Sequence, residues 1–81
     1  PFNAVTAIGY ALPKAAVVEI AIYNTLGQRV VTLVDGWRRA GDHAVYWDGR
    51  SAPGAALASG VYFYRLTTRD RAMVRALVLL Q

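Results

Sequence analysis

The sequence contains no cysteine and a single histidine among its 81 residues, so two common ways of stabilising a small domain are missing. A disulfide needs two cysteines, and a structural zinc site needs several cysteine or histidine ligands. A domain of this size also buries only about 60% of the surface that its unfolded chain exposes. The fold must therefore depend on its apolar core.

Charged residues are scarce as well, at 17% of the chain, against about 25% in an average soluble domain. Hydrophobic residues make up 56%, which excludes intrinsic disorder, because disordered chains combine low hydrophobicity with high net charge. No apolar run approaches the ~20 residues that cross a bilayer, and we expect no membrane-spanning segment. The chain begins at Pro1 without an export leader, so we expect one domain, residues 1–81, taken from a longer protein.

The net charge of +4 raises the question of nucleic-acid binding. Most of the arginines are scattered along the chain, and no RNA- or DNA-binding motif accompanies them. A local excess occurs only near the end, at Arg65, Arg69, Arg71 and Arg75. We therefore predict a solvated, arginine-rich face and no nucleic-acid partner.

Apolar residues recur with period two, which predicts β-strands rather than helices. The expected inward positions are Ile8, Tyr10 and Leu12, then Val18, Ile20 and Ile22, then His43, Val45 and Trp47, then Tyr62, Tyr64 and Leu66. Residues 24–27 are predicted to form a turn, and residues 50–59, which include Pro53, a loop. No segment combines helix caps with a helical stripe. The pattern predicts an all-β protein, an antiparallel β-sandwich of six or seven short strands.

Two details of this pattern are less regular. Residues 28–34 are expected to form a strand that Asp35 and Gly36 close as a turn, followed by a short edge strand at residues 37–40 and a turn at Gly41 and Asp42. Gly9 lies inside a predicted strand, where glycine suggests a bulge or a close backbone approach.

Side chains for catalysis are few. The only serines are Ser51 and Ser59, both in the predicted loop, and His43 is the only imidazole. We expect His43 to lie at the rim of the core rather than to act as a general base. The sequence predicts no enzyme activity and no cofactor.

Four of the five acidic residues, Asp35, Asp42, Asp48 and Asp70, fall at predicted turns, where aspartate bonds to the local backbone. The spacing of Asp35, Asp42 and Asp48 matches no EF-hand loop, and we expect no metal site.

Aromatic residues leave an alternative open. Trp37, Tyr46 and Phe63 form either an exposed platform for sugar rings or a cover over the sheet faces. The first possibility gives a second hypothesis, a carbohydrate-binding module. The question is most open for Trp37, which precedes two arginines.

The last predicted strand is apolar on both faces from Leu77 through Val78 and Leu79 to Leu80. Either it is a central, buried strand, or one face and its free edge are available to a partner by strand addition. The same edge would allow a dimer.

Four segments of the chain, residues 1–13, 22–30, 40–48 and 59–66, together resemble the type A C-terminal sorting domains of the type IX secretion system. Pro1-Phe2-Asn3 followed by Ile8, Tyr10 and Leu12-Pro13 is similar to the family's NPFNPST-x-I-x-Y-x-L-P start. Residues 22–30 resemble VYN-x-x-G-Q-x-V, and residues 40–48 resemble AG-x-H-x-V-x-W-D. Residues 59–66 are nearly the family's SGVYFYRL. The chain departs from the family at its end, where Arg75 is the one cation and Gln81 replaces the usual lysine.

The resemblance implies a seven-stranded Ig-like sandwich at the end of a larger secreted protein. It also implies a signal that outer-membrane translocon and sortase components recognise, which brings the N-terminal cargo to the cell surface. The residues expected to contact the translocon are Gly60, Arg75, Leu77, Val78, Leu79, Leu80 and Gln81. The Ig-like domain of flagellar hook-capping proteins has similar segments and is the alternative within the same structural class.

Overall fold

A computed structural model describes residues 5–52 and 54–81. Pro1, Phe2 and Asn3 of the sequence motif, and Pro53 of the predicted loop, lie outside the described residues. Within them the chain forms six β-strands and no helix. The strands are β1 (Thr6–Leu12), β2 (Ala16–Tyr23), β3 (Arg29–Arg38), β4 (Gly41–Trp47), β5 (Gly60–Thr67) and β6 (Ala72–Leu79). In these residues no helix is long and apolar enough to cross a membrane.

The described strands form two antiparallel sheets, as the sequence predicts. One sheet contains β1 and β4, and the other has the strand order β3-β2-β5-β6. Strand β4 lies over the β3 side of the larger sheet, since these two strands contact each other. Because the smaller sheet is two strands narrower, it covers the inner face of the larger sheet only in part.

The predicted inward positions form the core. Val18, Ile20 and Ile22 are fully buried in the middle of β2. Ile8, Tyr10 and Leu12 of β1 face them from the smaller sheet, and all three are buried. Two adjoining clusters result, one around Ile20 and Leu66 and the other around Ile22 and Trp47. Period-two alternation was sufficient to predict them, because a strand turns alternate side chains to opposite faces.

Two aromatic side chains fix the long connection between β4 and β5. Trp47 and Tyr62 meet edge to face with their ring centroids 5.3 Å apart. The indole Nε1 of Trp47 donates a hydrogen bond to the carbonyl oxygen of Arg50 (2.9 Å), and the hydroxyl of Tyr62 donates one to that of Ala58 (2.8 Å). A tyrosine bonded to the backbone just before its own strand is a recurrent feature of Ig-like sandwiches.

The predicted turn at Asp35 and Gly36 is wrong. Both residues lie inside β3, where they pair with Glu19 and Val18 of β2. The ten-residue strand also includes residues 37 and 38, half of the separate edge strand expected at residues 37–40, so the described part contains six strands rather than seven. Pairing with β2 over its whole length outweighs the local turn preference of Asp-Gly. Gly41 and Asp42, expected to form a turn, instead open β4.

The bulge expected at Gly9 is absent from the described β1–β4 pair, whose register is regular from Thr6 to Leu12. The irregularities lie in the β2–β3 pair, between Ile20 and Ala21 and between Ile22 and Tyr23. The turn at residues 24–27 is confirmed, and Gly27 takes a φ of 80° that favours glycine.

Candidate docking surface on the last two strands

Strand β6 lies at the edge of the four-stranded sheet. Among the described strands it pairs only with β5, in a regular antiparallel register from Thr67↔Ala72 to Gly60↔Leu79. It has eight residues and no proline. One row of its backbone N–H and C=O groups therefore points away from the sheet over the length of the strand.

The outer side of this hairpin is mostly apolar, and its one arginine on β5, Arg65, lies directly opposite Val74. We name the outer β5–β6 face by its residues, which are Val61, Phe63, Val74, Ala76 and Val78. The pairs Val61↔Val78 and Phe63↔Ala76 are directly opposed across the two strands. Val74 is 59% exposed and Val78 61% exposed. Leu80, just beyond the strand, is 70% exposed. A contiguous apolar area at a sheet edge is typical of a protein interaction site.

Positive charge surrounds this face. Residues 60–81 contain four arginines and one aspartate. The charge of Asp70 is balanced by Lys14, whose Nζ lies 3.6 Å from Asp70 Oδ2. None of the four arginines has a carboxylate within ion-pair distance among the residues that the structure covers. The hairpin therefore presents uncompensated positive charge to a partner.

The structure divides the predicted recognition residues into two groups. Gly60, Arg75, Val78 and Leu80 are exposed, at the start of β5 or along β6. Arg75 lies opposite Tyr64, on the inner side of the sheet, but remains exposed since the smaller sheet does not cover β6 fully. These four residues are available to another molecule.

The other three predicted residues hold the strand to the domain. Leu79 is fully buried in the cluster around Trp47, and Leu77 is half-buried against the same cluster. Gln81 is exposed but tied back. Its backbone N–H donates a hydrogen bond to Ser59 Oγ (2.8 Å), and its Nε2 donates to the Leu57 carbonyl oxygen (3.3 Å). The strand is thus an edge strand whose inner side is partly buried, so the interpretation as a central, buried strand is wrong. Binding of a partner at its free edge stays a prediction.

The aromatic platform that the sequence suggested is not assembled. Trp37 is 63% exposed on β3, at the end of the larger sheet where it pairs with Val17. Phe63 lies opposite Tyr23 of β2. Tyr23 is six residues from Val17, the partner of Trp37, so the two rings are separated by ~20 Å along the sheet at ~3.3 Å per residue. Tyr46 belongs to the other sheet. The three rings therefore share no common surface for a sugar chain.

His43 lies at the rim of the core, as predicted. Its ring stacks on Tyr10 with 5.1 Å between the centroids. Its Nε2 donates a hydrogen bond to the carbonyl oxygen of Arg39 (2.7 Å). Both interactions explain the residue structurally.

The acidic residues are dispersed. Asp35 and Asp42 lie within strands, contrary to expectation, because strand pairing again outweighs their turn preference. Asp48 and Asp70 lie in connections, as predicted. In the described part of the chain, no three His, Cys, Asp or Glu residues are grouped as metal ligands would be.

The pKa of Arg29, at the start of β3, is shifted from its ordinary value. Arg29 Nη2 donates to the hydroxyl of Tyr23 (3.3 Å) and lies 3.3 Å from Glu19 Oε1. The hydrogen bond to Tyr23, followed by the charges of Tyr23 and Glu19, raises the pKa of Arg29 above its ordinary value. Arginine is protonated at neutral pH in any case, and the charge of Arg29 is balanced by Glu19.

A groove of about 640 Å³ opens at one end of the sandwich, between the β1–β2 and β5–β6 connections. Leu12, Leu66 and Met73 line it, and the Lys14–Asp70 ion pair lies at its rim. These apolar groups and the exposed ion pair supply no nucleophile with a neighbouring base.

The described residues thus form an Ig-like β-sandwich with an exposed strand at one edge of its larger sheet. The chain matches the FlgD Ig-like domain family over residues 3–71, and it belongs to that family. Its fold is similar to that in a crystal structure of FLGD from P. aeruginosa, with a TM-score of 0.75 and 22% identity. That similarity covers 95% of this chain and 62% of the FLGD chain. No curated protein matches the sequence.

These comparisons confirm the predicted fold and the predicted relation to hook-capping Ig-like domains. They do not test the type IX resemblance, which stays a prediction, as do the roles of the individual recognition residues. The sequence alone did not indicate which side chains of the last strand are exposed, because apolar and polar residues do not alternate where both faces of a strand are apolar.

Proposed function

We propose that the chain is a non-catalytic docking module of a longer extracytoplasmic protein, of the kind found in flagellar hook-capping proteins. The match to the FlgD Ig-like domain family over residues 3–71 carries this proposal. In it, the inner faces of the two sheets hold the fold, and the outer β5–β6 face contacts the assembly to which the parent protein belongs.

The surface supports a docking role in two ways. Val74 and Val78 are exposed although valine is usually buried, and no strand in the described residues covers their side of β6. The core is complete without them, because the neighbouring Leu77 and Leu79 already pack inward. Exposed apolar residues that the fold does not need are best explained by a partner.

Immunogold electron microscopy of the source organism, with an antibody against a part of the parent protein outside residues 1–81, tests the proposal. We expect label at the tips of growing flagellar hooks, and loss of that label when the codons for residues 1–81 are deleted. Label confined to the cytoplasm would contradict any extracytoplasmic docking role.

A second candidate is the type IX sorting signal, in which the cargo reaches the cell surface through the periplasm and the outer membrane. The observation that favours it is the ordered series of motifs along the chain, above all residues 59–66. The exposed positions of the last strand, Arg75, Val78 and Leu80, are then the contacts with translocon and sortase components.

A reporter fusion tests this candidate. A periplasmic reporter that carries residues 1–81 at its C-terminus should reach the surface or the medium of a type IX-competent host. The same fusion in a strain without the translocon is the control. A reporter that stays in the periplasm of the competent host, with its leader correctly removed, would exclude the sorting role.

A further inference from the structure

Among the residues that the structure describes, no strand pairs with the outer edge of β6. Long edge strands are ordinarily protected by proline, by bulges, by charged outward side chains or by a covering loop. Strand β6 has eight residues, no proline and a regular register with β5. Its outward residues are Val74, Ala76 and Val78, and only Arg75 introduces a charge in the middle of the strand.

We propose that this edge binds an extended, acidic segment of a different protein, which adds to the four-stranded sheet as a fifth strand beside β6. Backbone hydrogen bonds to the unpaired side of β6 would supply a sequence-independent part of the affinity. Apolar side chains of the segment would pack beside Val74 and Val78. This inference rests on the docking role proposed above and specifies the partner.

The positive charge of the hairpin favours an acidic partner. A residue paired with Arg75 projects to the same side of the sheet, so a carboxylate at that position lies next to the guanidinium. Arg69 and Arg71 flank the other end of the hairpin, near the start of β6. The segment that fits has apolar residues on the outer side and acidic residues on the alternate positions.

The same charges disfavour a second copy as the occupant. Two β6 strands paired with each other would bring two sets of four arginines and only two aspartates together. Like charges placed directly opposite each other destabilise a strand pair. An acidic segment removes this repulsion, whereas a dimer doubles it.

Peptide binding to the full 81-residue chain tests the proposal. The probe is a capped peptide of about ten residues, the length of a long strand, with valine and glutamate alternating. We expect saturable binding and at least tenfold slower hydrogen exchange at alternate β6 amides. Replacing every glutamate by lysine should weaken binding about tenfold, which is about 1.4 kcal/mol. Placing two prolines at the centre of the glutamate peptide should abolish it, since proline lacks the backbone donor.

A charge-reversed variant locates the contact. Arg75→Glu should weaken binding of the glutamate peptide about fivefold and strengthen that of the lysine peptide, as expected of a partly exposed ion pair. Arg39→Glu is the matched control, because it changes the net charge equally but lies beyond β3, at the opposite edge of the sheet. It should leave β6 protection unchanged.

Three results would overturn the proposal. They are equal binding of the proline-containing peptide or of polyglutamate, protection at β3 or β1 instead of β6, and a dimer through β6 that excludes the peptide. The purified chain needs no secretion or flagellar machinery for this experiment. A negative result in this experiment would therefore contradict the binding of an acidic strand but not the docking role. Immunogold label at the wrong place would contradict the docking role and would say nothing about peptide binding.

Discussion

Gly49 and Gln81 join the end of the chain to the connection that follows β4. Gly49 is buried and has a φ of +77°. A Cβ atom at this position would lie 2.7 Å from Gln81 Nε2 and 2.9 Å from Leu79 Cδ1. The positive φ favours glycine, because a larger residue would strain the backbone and its Cβ would push the side-chain ends of Gln81 and Leu79 aside.

We therefore expect Gly49→Ala to lower the free energy of unfolding by about 1–3 kcal/mol, the cost of a non-glycine residue in a sparsely populated backbone region. Gly9→Ala is the control. Its Cβ would meet only the His43 carbonyl oxygen at 3.9 Å, so the substitution should be neutral or stabilising by up to about 1 kcal/mol. Urea unfolding of both variants measures the difference. Equal stabilities would contradict the role assigned to Gly49.

Leu79 and Leu80 are neighbours with opposite environments. Leu79 is fully buried, and Leu80 is 70% exposed. Leu79→Ala should cost about 2–5 kcal/mol, because it removes packed methyl groups and leaves a cavity beside Trp47. Leu80→Ala should change stability by no more than about 0.5 kcal/mol. Thermal unfolding followed by circular dichroism would refute the assignment if the two variants melted at the same temperature.

At the scale of elements, strand positions with strict alternation were predictable, and strand ends were not. The inward faces of β1, β2 and β5 follow directly from alternating apolar residues such as Val18, Ile20 and Ile22. The Asp35–Gly36 turn was wrong because a local turn preference is weaker than pairing with the full length of β2. Pairing partners are distant in sequence, so no local pattern reports them.

Strand β6 stabilises the domain through its inner side, and its removal should show this. Deleting residues 77–81 removes Leu79 and the hydrogen bonds of Gln81, so we expect the remaining chain to lose cooperative unfolding. Deleting only residues 80–81 should leave a folded domain, because Leu79 is retained. Near-ultraviolet circular dichroism of the buried Trp47 distinguishes the two. A cooperative transition in the shorter chain would show that β6 is dispensable for the fold.

The candidate surface was only partly predictable from the sequence. The apolar run at residues 77–80 indicated an unusual strand, but its two faces differ in a way that the run conceals. Leu77 and Leu79 face the core while Val78 and Leu80 face solvent, because β6 is an edge strand over an incompletely covered sheet. Val74 becomes part of the same surface as Val61 and Phe63 only through pairing with β5.

At the scale of the whole molecule, the buried core and the exposed apolar residues of the last hairpin lie on different sides of the larger sheet. The core lies between the two sheets, and one group of exposed apolar residues, Val61, Val74, Val78 and Leu80, lies on the outer side of the last hairpin. The exposed side chains of this surface do not pack in the core, so substitutions there should leave the core packing unchanged. The outer β5–β6 face can therefore be changed independently of the fold, which makes its function testable.

The most direct test is the double variant Val74→Thr, Val78→Thr in the full-length parent protein. Threonine keeps the branched shape of valine and removes apolar surface, so the purified variant domain should melt within a few degrees of the original. Immunogold label of the parent at its extracytoplasmic assembly should nevertheless fall to the level seen without residues 1–81. Unchanged label together with an unchanged melting temperature would contradict docking through the outer β5–β6 face.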